Sequence, residues 1–177
     1  MSSNPVPPLN PVGEFVPVPT FDEAVKSQLI ETLARAPEAL RQAVFGLTDE
    51  QLDTRYKNWT IRQIAHHLAD SHMHSYIRFR WALTEDNPTI KPYAEAEWVL
   101  LEDSAHGDVE PSLRILEGAH ARWVYLLQTL KPEQFQRTFF HPETNENVDL
   151  WTALNYYAWH ARHHTGQILW LCNEHGF

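Results

Sequence analysis

Four long stretches of helical hydrophobic periodicity, each bounded by caps and prolines, constrain this chain more than any other feature. Thr60 and Gln63 have capping-box spacing, in which each side chain satisfies a backbone amide of the other residue. They open a helix predicted to run to about Thr84, where Asn87-Pro88 stops it. Thr20 with Glu23 has the same spacing and opens an earlier helix to about Phe45, kinked or split at Pro37, which lacks an amide donor. Thr48 with Gln51 repeats it over a short helix at residues 49–53. A short helix is predicted near Ala94–Leu101, and a long one from about Val109 to Leu130, ended by Lys131-Pro132. Residues 135–148 read as a loop or short hairpin. Asp149 caps the last long helix, which ends near Asn173 before Gly176. Strand signals are few, so the predicted fold class is all-α, a four-helix bundle.

Six of the twelve prolines fall in the first 20 residues, which excludes a helix there. The predicted organisation is an extended arm over residues 1–20 and one helical domain over 21–177. The arm lies on the domain or on a neighbouring subunit, with a frayed tail the alternative for residues 1–8.

The net charge of −9 offers no basic footprint for nucleic acid and disfavours an anionic membrane. No apolar run of about 18 residues spans a bilayer, and no leader pattern is evident. One cysteine, Cys172, excludes an internal disulfide and suits a reducing cytoplasm; it reads as a small core residue.

The chain holds 11 histidines, and their placement on the helices is informative. At about 100° per residue, Leu150, Ala153, Leu154, Tyr157, Ala161, Ile168 and Leu171 share one sector of the last helix. His164 lies inside that sector and His160 at its edge. Four residues apart, they stack one turn above each other, a geometry that lets two imidazoles reach one ion. His163 falls roughly 60–100° further round, toward solvent. On the earlier helix, Ile61, Ile64, Ala65, Leu68, His72 and Phe79 form the apolar sector. His67 sits at its edge, while His66 and His74 lie well away. Spacing prefers His67 over His66 without deciding between them. His72, inside the stripe, is a core histidine or a pocket residue.

The run Trp59-Thr60-Ile61-Arg62-Gln63-Ile64-Ala65-His66-His67-Leu68-Ala69-Asp70-Ser71-His72-Met73 resembles the signature of the DinB-like superfamily, and within it the YfiT branch of metal-dependent hydrolases. So do Arg78-Phe79-Arg80, Tyr157-Ala158-Trp159-His160-Ala161-Arg162-His163-His164, the early Pro11-Val12-Gly13-Glu14-Phe15, and the late Arg137-Thr138-Phe139 with His141-Pro142-Glu143. The resemblance extends from about residue 9 to 173. It implies a four-helix bundle, a homodimer, a cytoplasmic location and one divalent metal ion held by His67, His160 and His164. Tyr56-Lys57-Asn58-Trp59 departs from it, lacking glycines before the tryptophan, which leaves that loop's conformation open.

Zinc is the default ion for three imidazoles, and nickel also suits them. Three protein ligands leave a position open to water or substrate, the pattern of catalytic sites. The expected function is therefore metal-dependent hydrolysis of a small amide or ester. The alternative, suggested by relatives, is transfer of a low-molecular-weight thiol of the bacillithiol type, for which Arg78, Arg80 or Arg162 could bind an anionic cosubstrate. A non-enzymatic bundle stapled by metal is the third reading. Asp70 and Glu143 are nearby carboxylates by pattern, but neither is singled out as a catalytic acid or base.

Overall fold

The computed structural model describes residues 6–177. It contains, in order, α1 (Glu23–Val44), α2 (Asp49–Leu52), β1 (Arg55–Tyr56), β2 (Trp59–Thr60), α3 (Ile61–Thr84), α4 (Glu95–Trp98), α5 (Glu102–His106) and α6 (Glu110–Thr129). A 3₁₀ turn at Pro132–Gln136, β3 (Thr138–His141), β4 (Glu146–Asp149) and α7 (Leu150–His175) complete it. Both capping boxes at Thr48 and Thr60 form as the sequence predicts. The one at Thr20 does not. Asp22 caps α1 instead, accepting from the Val25 amide at 2.9 Å. Asp caps as well as Thr and stands two residues nearer the apolar stripe. The predicted short helix near residues 94–101 forms as α4, an unpredicted α5 follows it, and α7 runs on to Gly176, whose φ of 74° supplies the left-handed end.

Pro37 neither ends nor splits α1. It does remove one hydrogen bond: the carbonyl of Leu33, four residues earlier, has no amide to accept.

The extensive helix contacts are α1 with α6, α1 with α7, α3 with α6 and α3 with α7. Thus α1 and α3 face each other across the bundle, as do α6 and α7. Consecutive long helices are diagonal at both ends of the chain order, which a simple up-and-down bundle does not allow. The connecting segments are correspondingly elaborate. Arg62, nearly buried on α3, ties the connections down through Asp49, Asp53 and the Gly107 carbonyl. The hairpin β3–β4 pairs Thr138 with Asp149 and His141 with Glu146, and Thr89 bridges Phe140 at its other edge. The small β1–β2 hairpin turns at Lys57-Asn58, with Lys57 at a φ of 54°. A lysine there does what the absent glycine would have done, at some conformational cost.

The core has two apolar clusters. One packs Leu33, Phe79, Trp123, Leu127, Leu150 and Leu154; the other packs Leu40, Ile61, Leu68, Leu116, Ile168 and Leu171. No helix among the described residues is long and apolar enough to cross a membrane.

Residues 6–22 form no helix or strand and lie along α7. Trp159 Nε1 donates to the Gly13 carbonyl at 2.9 Å, Trp151 Nε1 to the Val18 carbonyl at 2.7 Å, and the Tyr56 hydroxyl to the Pro8 carbonyl at 2.5 Å. The part of the predicted frayed tail at residues 1–5 lies outside the described residues. Gly166 makes the close approach possible: a Cβ there would stand 2.8 Å from Val12 Cγ1. Gly166→Ala should therefore loosen the arm while the helix itself gains up to about 1 kcal/mol in propensity. The expected outcome is faster protease cleavage within residues 6–20 at an unchanged or higher urea midpoint; an unchanged cleavage rate would show that this contact does not hold the arm.

Candidate metal centre

A belt of buried histidines crosses the bundle between the two apolar clusters. On α3 it holds His67 and His72, on α6 His120, and on α7 His160, His163 and His164, while His66 is buried apart from them against Ser112. One ring nitrogen from each of His67, His160 and His164 lies within 4.8 Å of the others. These are the three residues the sequence selects, and they are 3%, 6% and 8% exposed. Trp59 on β2 packs over His67 with ring centroids 4.6 Å apart, so the small hairpin walls the cluster on one side. The Tyr93 hydroxyl lies 3.3 Å from His67 Nδ1, and His74 stacks on the Tyr93 ring at 4.5 Å.

The proton positions follow from one fixed point. A backbone carbonyl only accepts. The Leu33 carbonyl, freed by Pro37, lies 2.6 Å from His120 Nδ1, which must therefore carry a proton. Burial holds His120 near a pKa of about 4, so it is neutral and its Nε2 is a bare acceptor. That nitrogen lies 2.9 Å from His72 Nδ1, which donates to it. His72 Nε2 is then bare and accepts from His160 Nδ1 at 3.2 Å. The chain ends at His160 Nε2, which has a lone pair and no proton. On the same helix Gln167 directs its amide oxygen at His164 Nδ1, 2.9 Å away, and its amide NH2 at His163 Nε2. His164 Nε2 is bare as well, and it stands 3.1 Å from His160 Nε2.

Two buried lone pairs facing each other at that distance repel unless a cation sits near both. The donor set thus fits a divalent ion of borderline softness, with His67 the third nitrogen within reach. Metal binding also needs neutral imidazoles. Burial lowers His67 to about 4, and burial together with neighbouring histidines holds His160 and His164 well below the usual range.

Several sequence expectations need correction. His163 does not face solvent: it is 9% exposed and stacks on Trp159 at 4.7 Å, because the arm covers that side of α7. His66 is buried too, with Ser112 Oγ 2.7 Å from its Nδ1, since α5 and α6 pack where the helical wheel suggested water. Of the two alternatives for His72, the core histidine is the one found: it is fully buried and hydrogen-bonded at both ring nitrogens. Cys172 is half-buried with Sγ 3.8 Å from the Ala43 carbonyl, apart from the cluster. Arg80 and Arg162 are exposed, while Arg78 is buried. Asp70 makes no hydrogen bond to an imidazole through its carboxyl, which burial and Asp103 raise to about 6. His120, Tyr93 and Gln167 escaped the sequence reading. Only Pro37, in mid-helix, signalled a carbonyl awaiting a donor.

A cavity of about 410 Å³ opens against His160, lined by the arm, α3, the β3–β4 hairpin and α7. Glu143 lies on its exposed rim. A second recess of about 310 Å³ touches His164 and Trp59.

Two measurements check the proton chain. Imidazole 15N spectra of metal-free protein should show the Nδ1–H tautomer at His120, His72 and His160; Nε2–H at any of them would break it. His120→Phe strands the Leu33 carbonyl and His72 Nδ1, and should cost about 2–4 kcal/mol in a denaturant titration. The buried imidazoles also set the acid response. Between about pH 4 and 6.5 the folded chain binds fewer protons than the unfolded one, so stability rises with pH across that window and levels off above it. His67 and His120 each account for on the order of 3 kcal/mol by pH 4. Asp70 opposes them but is a single group. A metal-free urea midpoint that stays flat from pH 6.5 to 4.5 would contradict this.

Comparison with known proteins agrees with this architecture. The sequence profile of the DinB superfamily matches residues 32–168. YfiT of Bacillus subtilis (strain 168), whose name places it provisionally among metal-dependent hydrolases, is 46% identical over 169 residues, covering 94% of this chain and 95% of that protein. A similarly named protein of Bacillus mycoides (strain KBAB4) is 47% identical over 160 residues, covering 89% of this chain and 91% of its own length. The solved structure of Bacillus subtilis YfiT, described as "a probable metal-dependent hydrolase with an unusual four-helix bundle topology", superposes with a TM-score of 0.91 over 95% of this chain and 97% of that one. With its diagonal bundle and its matched profile, the chain belongs to the DinB superfamily and is a close relative of YfiT.

Proposed function

We propose that this protein is a metal-dependent hydrolase of a small amide or ester, holding one divalent ion at His67, His160 and His164. The observation that carries the reading is the convergence of one ring nitrogen each from His67, His160 and His164 within 4.8 Å, with His160 Nε2 and His164 Nε2 3.1 Å apart, buried beside a cavity of about 410 Å³. Zinc is the default ion and nickel also suits the donors. When bound, such an ion supplies a Lewis acid and a water nucleophile at neutral pH.

The chain's own residues supply the rest. Tyr93, Tyr156 and Tyr157 line the cavity with His160. Burial raises the Tyr93 phenol and pushes Tyr156 up to about 12, so both keep their protons at neutral pH. They are donors for an oxygen that becomes negative during attack on a carbonyl. The Tyr157 hydroxyl accepts from Arg78 Nη1 at 3.0 Å, which leaves its own proton to donate. Phe15 from the arm covers the cavity against Tyr156 and limits access of bulk water. The homodimer and cytoplasmic setting implied by the resemblance belong to the same proposal.

A thiol S-transferase is the second reading. Thiolate is a good zinc ligand, and the buried Arg78 in the same cavity would suit an anionic thiol. A structural staple is disfavoured by the two apolar clusters, which provide a core without metal.

Elemental analysis of protein purified without chelator should find one divalent ion per chain. His164→Ala should lower affinity by more than about a hundredfold, beyond the range typical of residues that only orient a ligand, and His163→Ala by about tenfold or less. Equal losses in the two variants would refute the ligand assignment. Metal removal should empty the site without unfolding the bundle by circular dichroism. Loaded protein should cleave activated esters or amides without added thiol; turnover of a chlorinated aromatic electrophile only with thiol present would replace hydrolysis by transfer.

A further inference from the structure

The cavity beside His160 contains a buried guanidinium that no carboxylate of the described residues contacts, although Glu95 on the same cavity feels its charge at longer range. Arg78 follows Ser71 by two turns on the same face of α3, and both side chains line the cavity. Arg78 is 8% exposed. Its only hydrogen bond among the described residues runs from Nη1 to the Tyr157 hydroxyl, and its buried Nε has no partner. No carboxylate lies within 4.0 Å of it among those residues. The contrast with Arg62 is informative. That side chain is 4% exposed and is held by Asp49, Asp53 and the Gly107 carbonyl. Where an arginine serves the fold, this chain surrounds it with acceptors. A guanidinium left buried without an acceptor is strongly unfavourable.

A second unpartnered group opens on the same cavity: the buried His141 Nδ1 on β3. The walls between are flat and aromatic, from Phe15, Tyr93, Phe139 and Tyr156. At the exposed rim stand Glu95, Glu143 and Glu146, which disfavour a second negative charge on anything entering. The volume of about 410 Å³ lies within the range of small-molecule sites.

We propose that this cavity receives a small monocarboxylate, with its carboxylate against Arg78, its body between the aromatic walls and its other end toward His160. Guanidinium and carboxylate match as planar, forked partners, which neither a phenol nor a lysine reproduces. Only the last clause of the proposal rests on the hydrolase reading. There the substrate becomes an ester or amide that carries a separate, free carboxylate.

The test uses the full chain, metal-free so that a carboxylate cannot bind an ion instead. Phenylacetate and its uncharged amide, phenylacetamide, are titrated by calorimetry. Phenylacetate should bind roughly tenfold tighter or more. Arg78→Gln should abolish that difference while leaving the amide's affinity in place, and Arg78→Lys should retain part of it. Glu143→Gln, which removes a rim charge, should tighten phenylacetate and leave the amide unchanged. Circular dichroism checks each variant; should Arg78→Gln fail to fold, Arg78→Lys and Glu143→Gln carry the test. Equal affinities for the two probes, no binding of either, or an equal loss of both in Arg78→Gln would overturn the proposal. Its failure is separable from that of the proposed function. Carboxylate binding without hydrolysis of any ester removes only the hydrolase. Hydrolysis of neutral esters with no preference for carboxylate removes only this inference.

Discussion

A single backbone carbonyl governs the protonation of the buried centre. Pro37 cannot supply the amide that the Leu33 carbonyl would otherwise accept inside α1. That acceptor is met by His120, and the requirement passes through His72 to His160. Each imidazole in the series has one neutral tautomer that satisfies both neighbours, so the choice at one end fixes the choice at the other. The proline that a sequence reading takes for a flaw in a helix is therefore the origin of an ordered series of hydrogen bonds crossing the bundle from α1 to α7.

This arrangement explains why the core is divided. On α3, α6 and α7 alike, apolar residues of one cluster give way to histidine and then to apolar residues of the other. A polar layer in a bundle is tolerable only if every member is satisfied. Here the series from His120 through His72 is satisfied up to the two facing nitrogens of His160 and His164, and His163 Nδ1, outside that series, has no hydrogen-bond partner among the described residues. Close packing on either side leaves the layer little freedom to relax, so those nitrogens stay where a cation could bind them. The diagonal placement of α1 and α3 brings α6 and α7 against both, and so lets His120 and His160 reach the same His72.

Much of this was legible in the sequence, but unevenly. The four helices followed from caps, prolines and period, and the trio His67, His160 and His164 from helix faces together with resemblance. The errors of burial share one cause. A helical wheel assigns one face to the core, whereas α3 and α7 are enclosed on nearly every side, by neighbouring helices, by the connections and by the arm. His66 and His163 were misplaced for that reason. Arg78 could not be told from Arg80 and Arg162 for the same reason: its burial depends on the β3–β4 hairpin and α7, which no local pattern announces. Thr20 lost to Asp22 because capping preferences differ by less than the spacing rule can resolve.

The arm has neither helix nor strand, yet Phe15 forms part of the wall beside His160, and Gly166 lets the chain lie flat on α7. The shape of the cavity is thus divided between a bundle whose long helices are fixed by the core and a strap held by a few hydrogen bonds to tryptophans. Changes in the strap would reshape the cavity and leave the helix packing beneath it in place. A short run of residues without helix or strand can therefore set what fits beside His160, with the packing of the bundle left as it is.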